Sequence, residues 1–379
     1  MRIGILSGSD IARRRFIPAL IKSGAFEFSG IGSADDGERR AVTGTGSEVS
    51  PGKRAKTMEL CDQYGVKFYD SYHGLLSDEA IDAVYISLPP ALHHHWCMEA
   101  LRAGKHVLVE KPAATTRKDC WEMTALAGEK KLAVVENYGF LYHKQMDTIK
   151  HLIRSDEIGS IRLIRAAFGF PRRREDDFRY SRVMGGGALL DCGGYTLRLA
   201  MELLGAGMEV RDAVLMPLSG HDVDGHGYIT AISGKSQDNG RGGAFAPDED
   251  GEYQEAAYMA AAEDEGDAPE GAAAQLSFGM DNQYKCELEI WGSRGTIFTD
   301  RIFTAPPELE TKVLLTKGLE KKEIVSGADD QFLKIIRVFE SCIADDDLRT
   351  GMYGQMLRHN ANLMKAFRLS KWFDLEMKK

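Results

Sequence analysis

Over its first 137 residues the chain alternates short β-branched runs with stretches of helical apolar spacing, and few folds satisfy that pattern. Strands are expected at Arg2–Leu6, Phe26–Gly32, Lys67–Tyr69, Ala80–Leu88, Val107–Val109 and Leu132–Val135. Between them the spacing predicts helices from Asp10 (a plausible N-cap) to Ile21, Lys53 to Tyr64, Ala91 to Ala103 and Thr116 to Lys130. The expected result is a doubly wound parallel sheet. One strand is informative beyond its fold. Val107-Leu108-Val109 stops abruptly at Glu110-Lys111-Pro112, and ligands of open α/β sheets bind at the carboxyl ends of strands. Lys111 is therefore either placed for chemistry or simply reaches solvent.

At 379 residues the chain exceeds one ordinary core, and two domains are expected, 1–137 and 138–379. Segments 33–53 and 233–274 read as insertions, rich in Gly, Ser and Thr in the first case and in Gly, Ala, Asp and Glu in the second. Ten acids and no Lys or Arg lie between Ala244 and Ala274, so most of the net charge of −9 sits there. With no basic face, nucleic acid is not an expected partner. No apolar run suits a membrane span and the start lacks the form of a signal peptide, so a cytoplasmic protein is expected. The six scattered cysteines contain no Cys-x-x-Cys pair, which argues for reduced thiols.

The first βα turn reads Ser7-Gly8-Ser9-Asp10-Ile11-Ala12 where a dinucleotide fingerprint would read Gly-x-Gly-x-x-Gly/Ala. Ala12 permits close packing, while two serines stand in for glycines. After the second strand come Ser33, Asp35 and Asp36, then Arg39 and Arg40. Acids there suit NAD and basic residues suit NADP, so either cofactor remains open. His93-His94-His95 is better read as surface or capping histidines than as a metal site, because adjacent helical residues do not converge.

In the second half, Tyr142–Arg154 reads as a helix and Arg162–Phe170 as a strand. Five arginines then fall within residues 172–182. They either grip a phosphate or pair with Glu175, Asp176 and Asp177. Gly185-Gly186-Gly187 would let backbone approach a ligand. The following segment, Ala188–Leu204, has helical spacing and a polar stripe of Asp191, Tyr195 and Arg198 within leucines. Strands resume at Tyr228–Ile232, Gln275–Phe278, Cys286–Trp291 and Gly295–Phe298, and two helices close the chain.

Three blocks together resemble the Gfo/Idh/MocA (glucose-fructose oxidoreductase-like) oxidoreductases. They are Pro90-Ala91-Leu92-His93, Ala103-Gly104-Lys105-His106-Val107-Leu108-Val109-Glu110-Lys111-Pro112, and Gly185-Gly186-Gly187-Ala188-Leu189-Leu190-Asp191. The resemblance implies an α/β protein with an N-terminal Rossmann domain and a C-terminal α+β domain. The open, largely antiparallel sheet of the second domain covers the substrate and serves homo-oligomers. It also implies NAD or NADP held by Ser7, Gly8, Ser9, Asp10, Ile11, Ser33, Leu88, Pro89, His93, Glu110 and Lys111, with no metal. Substrate would meet Asn137, Arg179, Arg182, Asp191 and Tyr195. Many members carry histidine four residues after the aspartate, where this chain has Tyr195. Tyrosine there is similar to the glucose-fructose oxidoreductase, dihydrodiol dehydrogenase and nucleotide-sugar 3-ketoreductase branches. Phe178-Arg179-Tyr180 and Glu289-Ile290-Trp291-Gly292-Ser293 point to the sugar-modifying members.

The expected activity is hydride exchange between a nicotinamide and a sugar carbinol or ketone, with a nucleotide sugar as one candidate. A tyrosine titrates near pH ~10 unaided, and a nearby cation lowers that value. Tyr195 is accordingly expected as acid/base, Lys111 as its electrostatic partner and Asp191 as the orienting group. Two other classes stay open: NAD-dependent redox-assisted glycoside cleavage, and a non-catalytic dinucleotide-binding sensor.

Overall fold

The computed structural model describes residues 1–35, 37–38, 51–234 and 271–370. Most of both expected insertions, with Asp36, Arg39, Arg40 and the alanine-rich stretch 252–264, lies outside the described residues. The chain divides into two compact units. Unit 1 comprises Met1–Gly139, Ser181–Gly186 and Asp330–Arg349, and unit 2 comprises Phe140–Tyr180, Gly187–Asp329 and Thr350–Lys379.

Unit 1 is built on six strands: β1 (Arg2–Leu6), β2 (Glu27–Gly32), β3 (Lys67–Tyr69), β4 (Ala83–Ile86), β5 (His106–Val109) and β6 (Val134–Glu136). Their order is β3-β2-β1-β4-β5-β6, and every pairing is parallel. This is the doubly wound Rossmann arrangement, with its topological switch between β1 and β4. The central strands are sealed on both faces: Ile3, Ile5, Leu6, Val84, Ile86, Val107, Leu108 and Val109 are fully buried. Such burial contributes about 1.5–3 kcal/mol per large side chain and explains the near-continuous apolar runs. The helices of this unit include α1 (Ile17–Ser23), α2 (Pro51–Tyr64), α3 (Tyr72–Leu76), α4 (His93–Arg102) and α5 (Arg117–Lys130). Thr116 caps α5 by accepting from the Asp119 N–H at 3.1 Å, as its sequence predicts.

In unit 2 the strands β7 (Ile161–Gly169), β8 (Glu209–Pro217), β9 (Asp224–Ile232), β10 (Ala273–Gly279), β11 (Lys285–Gly292), β12 (Thr296–Thr299), β13 (Thr311–Lys317) and β14 (Glu320–Gly327) form one sheet. Its order is β14-β13-β12-β11-β7-β10-β9-β8. Only β7 and β10 pair in parallel; the other six pairings are antiparallel. Helix α6 (Lys144–Arg154) packs on β13 and β14, and α7 (Gly194–Leu204) on β7 and β10. Of the two helices that end the described chain, α8 (Gln331–Ala344) belongs to unit 1 and α9 (Asp346–Leu369) lies mostly in unit 2. Along β7 and β10 buried and accessible residues alternate, so one sheet face is covered by helices. Met216, Tyr228, Trp291 and Phe298 remain among the exposed large side chains of the sheet.

The helix boundaries differ from the sequence expectation in two informative places. Ser9, not Asp10, caps the first helical segment: its Oγ accepts from the Ala12 N–H at 3.2 Å. The Asp10 carboxylate instead accepts from Arg13 and Arg14, one turn on. The segment expected as one helix from Ala188 opens with a π turn, Leu189–Gly193, before α7 begins. A π turn inserts an extra residue into the helical ladder and is frequent at functional sites.

Candidate active site

In unit 1 the site residues cluster at the carboxyl ends of β1, β4 and β5. Ser7 takes a left-handed backbone, φ 82°, the conformation that glycine usually supplies in this turn. Its neighbour Ser9 is turned inward, donating to Ser87 Oγ at 2.8 Å, while Ser87 donates to the Ser7 carbonyl at 3.3 Å. The two serines thus reproduce the tight turn by hydrogen bonding where glycines would do it by freedom of φ. Ile11 stays 36% exposed at the head of the helical segment, an apolar surface suited to a ligand laid across the turn. The residues present therefore fit a dinucleotide: Ser7, Gly8, Ser9 and Ile11 would hold its phosphates and cover it. Ser33 closes β2 and is buried.

Of the acids after β2, Glu38 is committed elsewhere. Its carboxylate accepts from the backbone N–H groups of Asp35, Tyr72 and His73 at 2.9–3.0 Å. The Asp35 carboxylate in turn accepts from the Glu38 N–H at 2.7 Å.

His93 corrects the surface reading. It is fully buried, and its two ring nitrogens lie 2.8 Å from the Pro112 carbonyl and 2.7 Å from the Leu88 carbonyl. Burial holds its pKa below the usual histidine value. The ring ties the loop after β4 to the loop after β5, and so places Leu88, Pro89 and the Lys111-Pro112 peptide, which is cis. His94, next to it, faces Glu122 at 2.9 Å and Asp119 at 3.7 Å through different ring nitrogens.

Lys111 is half-buried at the end of β5. Beside it, the Glu110 carboxylate turns inward and accepts from the Tyr85 hydroxyl at 2.5 Å and from Asn137 Nδ2 at 2.6 Å. Burial raises the Glu110 pKa against the pull of those two donors. Tyr85 is itself stacked on Phe16, ring centres 3.7 Å apart. Glu136 accepts from the Ala113 N–H at 2.7 Å and fixes the chain just after the lysine. Gly185, with φ 76°, lies so close to Pro90 and Ala91 that a Cβ would sit 2.9 Å from the Ala91 nitrogen.

In unit 2, Asp191 and Tyr195 lie within one helical segment. Asp191 lies in the π turn, 9% exposed, and accepts from Arg179 Nε at 2.7 Å. The same guanidinium donates to Asp177 at 3.0 Å. Burial works to lower the Arg179 pKa, but the two carboxylates outweigh it and raise the value. Arg179 is thus committed to two carboxylates, and the expected contact with a substrate anion is not what its nearest atoms make. Tyr195, at the first turn of α7, is half-buried among Phe168, Phe303 and Phe140, with ring centres at 5.0, 5.7 and 5.8 Å. Sequence reasoning missed all three aromatics. They come from β7, the 3₁₀ turn Gly139–Tyr142 and an irregular segment, and no local pattern joins them. Arg198, the third member of the expected stripe, is buried and pairs with Gln355.

The remaining arginines of the loop, Arg172, Arg173, Arg174 and Arg182, are all exposed. Arg172 pairs with Glu175 and lies 3.8 Å from Asp281, Arg174 pairs with Asp176, and Arg173 covers the Phe170 ring.

Residues 3–138 match the family model described as an oxidoreductase family with an NAD-binding Rossmann fold, and residues 146–298 match the GFO/IDH/MocA C-terminal domain. The chain belongs to the Gfo/Idh/MocA oxidoreductase family. Its curated Gfo/Idh/MocA relatives include a dTDP-3,4-didehydro-2,6-dideoxy-alpha-D-glucose 3-reductase from Saccharopolyspora spinosa, 32% identical over 97% of this chain and 96% of the relative. Another of the same description, from Actinomadura kijaniata, is 33% identical over 90% of this chain and 87% of the relative. Among solved structures, a 3-ketoreductase from Actinomadura kijaniata in complex with NADP and TDP-benzene has a TM-score of 0.79 at 30% identity, covering 98% of this chain and 97% of that one. The protein is an NAD(P)-dependent oxidoreductase of the sugar-modifying branch of the Gfo/Idh/MocA family. Among the described residues no helix is long and apolar enough to cross a membrane.

Proposed function

We propose that this enzyme reduces the 3-keto group of a nucleotide-diphosphate-linked deoxysugar, with NADP as its nicotinamide cofactor. The observation that carries the reading is the match over nearly the full length to dTDP-sugar 3-reductases, in a chain that keeps Lys111, Asp191 and Tyr195. The reduced nicotinamide supplies the hydride when bound. Tyr195 supplies the proton to the oxygen of the former ketone, and its ring is oriented for that by Phe140, Phe168 and Phe303. Lys111 provides the positive charge that favours oxyanion and phenolate over their neutral forms. Asp191 accepts a hydrogen bond from a neighbouring sugar hydroxyl, and Arg179 holds it aimed. His93 and Glu110 orient the Lys111 loop without touching substrate. Ser33, at the end of β2, faces the adenosine end of the cofactor. Arg182 and Asn137 contact the substrate.

The test is to follow nicotinamide absorbance with a dTDP-linked 3-keto sugar and with the same sugar unlinked, using NADPH and NADH. Consumption of NADPH confined to the linked ketone supports the reading. Turnover of unlinked sugar at equal efficiency overturns the nucleotide assignment. Sugar release without net nicotinamide consumption would instead indicate redox-assisted glycoside cleavage, and binding without either would indicate a sensor.

The exposed face of the unit 2 sheet supports a second part of the proposal, self-association. Tyr228, Trp291 and Phe298 are 38–45% exposed and share one sheet face, and apolar side chains gathered on one face mark an interaction surface. Sizing in solution with a charge placed at Trp291 or Phe298 tests whether this face joins two copies. The near-neutral surface outside the acidic segment supports the absence of a nucleic-acid partner, and the all-thiol cysteines, each buried, support a cytoplasmic location.

A further inference from the structure

We infer that Asp224 is a positioning residue for this reaction, setting the register of the π turn that carries Asp191 and, one turn later, Tyr195. The inference rests on the reading above that those two residues act on substrate. Asp224 opens β9, on a different strand from anything the sequence marks as functional, and is 6% exposed. Its Oδ2 accepts from the Leu189 N–H at 2.6 Å, and the Ala188 N–H also supports the carboxylate. These are the first amides of the helical segment, the groups that no intrahelical carbonyl can satisfy. Gly187, with φ 112°, brings the chain over the carboxylate so closely that a Cβ would collide with Oδ1. Asp224 and the last glycine of the triplet thus form one device. The glycine permits the approach, and the carboxylate fixes where the first turn starts.

Other contacts hold the body of the segment, and they leave its entry to Asp224. The Cys192 thiol lies 3.5 Å from the Gly279 carbonyl, and the His359 ring lies 3.0 Å from the Gly194 carbonyl. Gly193 packs so closely on Phe278 that a Cβ would lie 3.2 Å from its ring.

The charge is retained against stability. No cation pairs with Asp224 among the described residues, and burial pushes its pKa up to about 6 despite the backbone donors. Of the elements packed around it, the π turn contributes Asp191 as its charged group, β9 contributes His226 and Tyr228, β8 contributes Glu209, Arg211 and Asp212 towards its far end, and β10 contributes none. None of them is a source of the shift. At neutral pH a buried carboxylate without a cation is unfavourable. A residue kept for stability alone would be neutral there, and strain or cost held in place is characteristic of functional positions.

The test compares wild type, Asp224→Asn and Tyr195→Phe with the ketone substrate and NADPH. Asparagine keeps the shape and one acceptor but removes the charge. The expected result for Asp224→Asn is a fall in kcat of about tenfold with the KM for NADPH unchanged, at a melting temperature equal to or above that of wild type at pH 7.5. It should also flatten the acid limb of the wild-type kcat profile near pH 6. A kcat within twofold of wild type, or an unaltered acid limb, overturns the inference. So does a fall in kcat accompanied by a lowered melting temperature, which marks a cap that is merely structural. If Asp224→Asn does not fold, the wild-type profile decides alone: kcat level from pH 5 to pH 8 overturns the inference, and a fall through pH 6 supports it. Tyr195→Phe is the control for the underlying reading. Full activity in that variant removes the reading itself, whereas its inactivity beside an unaffected Asp224→Asn removes only the present inference.

Discussion

Arg179 Nε lies 2.7 Å from Asp191 Oδ2, and the two side chains are 19% and 11% exposed. In the proposed reaction Asp191 is an oriented acceptor for a hydroxyl, because the guanidinium fixes where its carboxylate points. The pair is shielded enough to matter, unlike surface ion pairs, which contribute roughly 0–1 kcal/mol. Replacing Arg179 by alanine removes that charge-assisted contact from Asp191, at a cost of about 1.5–3 kcal/mol. A fall in kcat/KM of roughly ten- to a hundredfold is expected, with partial recovery in Arg179→Lys. Steady-state kinetics on both variants check this, and equal activity in Arg179→Ala would rule it out.

Tyr195→Phe removes a hydroxyl and keeps the ring packing with Phe140, Phe168 and Phe303. Its kcat should fall by about 10²–10⁴, the usual range for a general acid, with a melting temperature close to that of wild type. Lys111→Ala should show a loss of similar size. Stopped assays at several pH values, alongside thermal melts, separate loss of chemistry from loss of fold.

Phe303 is fully buried and touches both Tyr195 and Phe168. Phe303→Ala should destabilise the protein by about 3–5 kcal/mol through the cavity it leaves, and lower kcat as Tyr195 loses a wall. Phe303→Leu should recover most of the stability and less of the activity. Denaturant titration and kinetics on the two variants test the separation.

The loop arginines should divide by their distance in the chain from Gly185-Gly186-Gly187. Arg174→Ala should change KM and stability little, because Arg174 and its partner Asp176 are 88% and 74% exposed. Arg182→Ala should raise KM for the nucleotide-linked ketone by roughly tenfold and leave an unlinked ketone unaffected, as a charge-assisted contact of about 1.5–3 kcal/mol requires. Equal small effects on both substrates would remove Arg182 from the binding surface.

Asp224 also has a stability signature. Its folded pKa of about 6 lies above the usual aspartate value of 3.8, so the folded state holds the proton more tightly than the unfolded one. The contribution to stability is full below pH ~4 and is lost as pH rises through about 6, some 3 kcal/mol by linkage. Urea denaturation of wild type and Asp224→Asn between pH 4 and pH 8 should therefore show the variant gaining on wild type as pH rises. Parallel curves would contradict the assignment.

The sequence by itself determined the alternation of strand and helix, and with it the parallel order of the first sheet. Strands buried on both faces must be apolar throughout, and their connections must be helices. It also determined where Lys111 stands, because Glu110-Lys111-Pro112 ends a buried strand. It marked Asp191 and Tyr195, since polar groups inside a leucine-rich helix are visible one chain position at a time. Tertiary structure alone decided what surrounds them. The Phe140, Phe168 and Phe303 wall, the Arg179 clamp, the Asp224 cap and the His93 tie each join residues from different elements. Their chemistry is ordinary in isolation, and no local periodicity encodes which partner a side chain will meet. The π turn at Leu189–Gly193 is of the same kind. Its residues have helical spacing, and the extra residue becomes apparent only once Asp224, Gly187 and Phe278 fix where the turn begins and what it packs against.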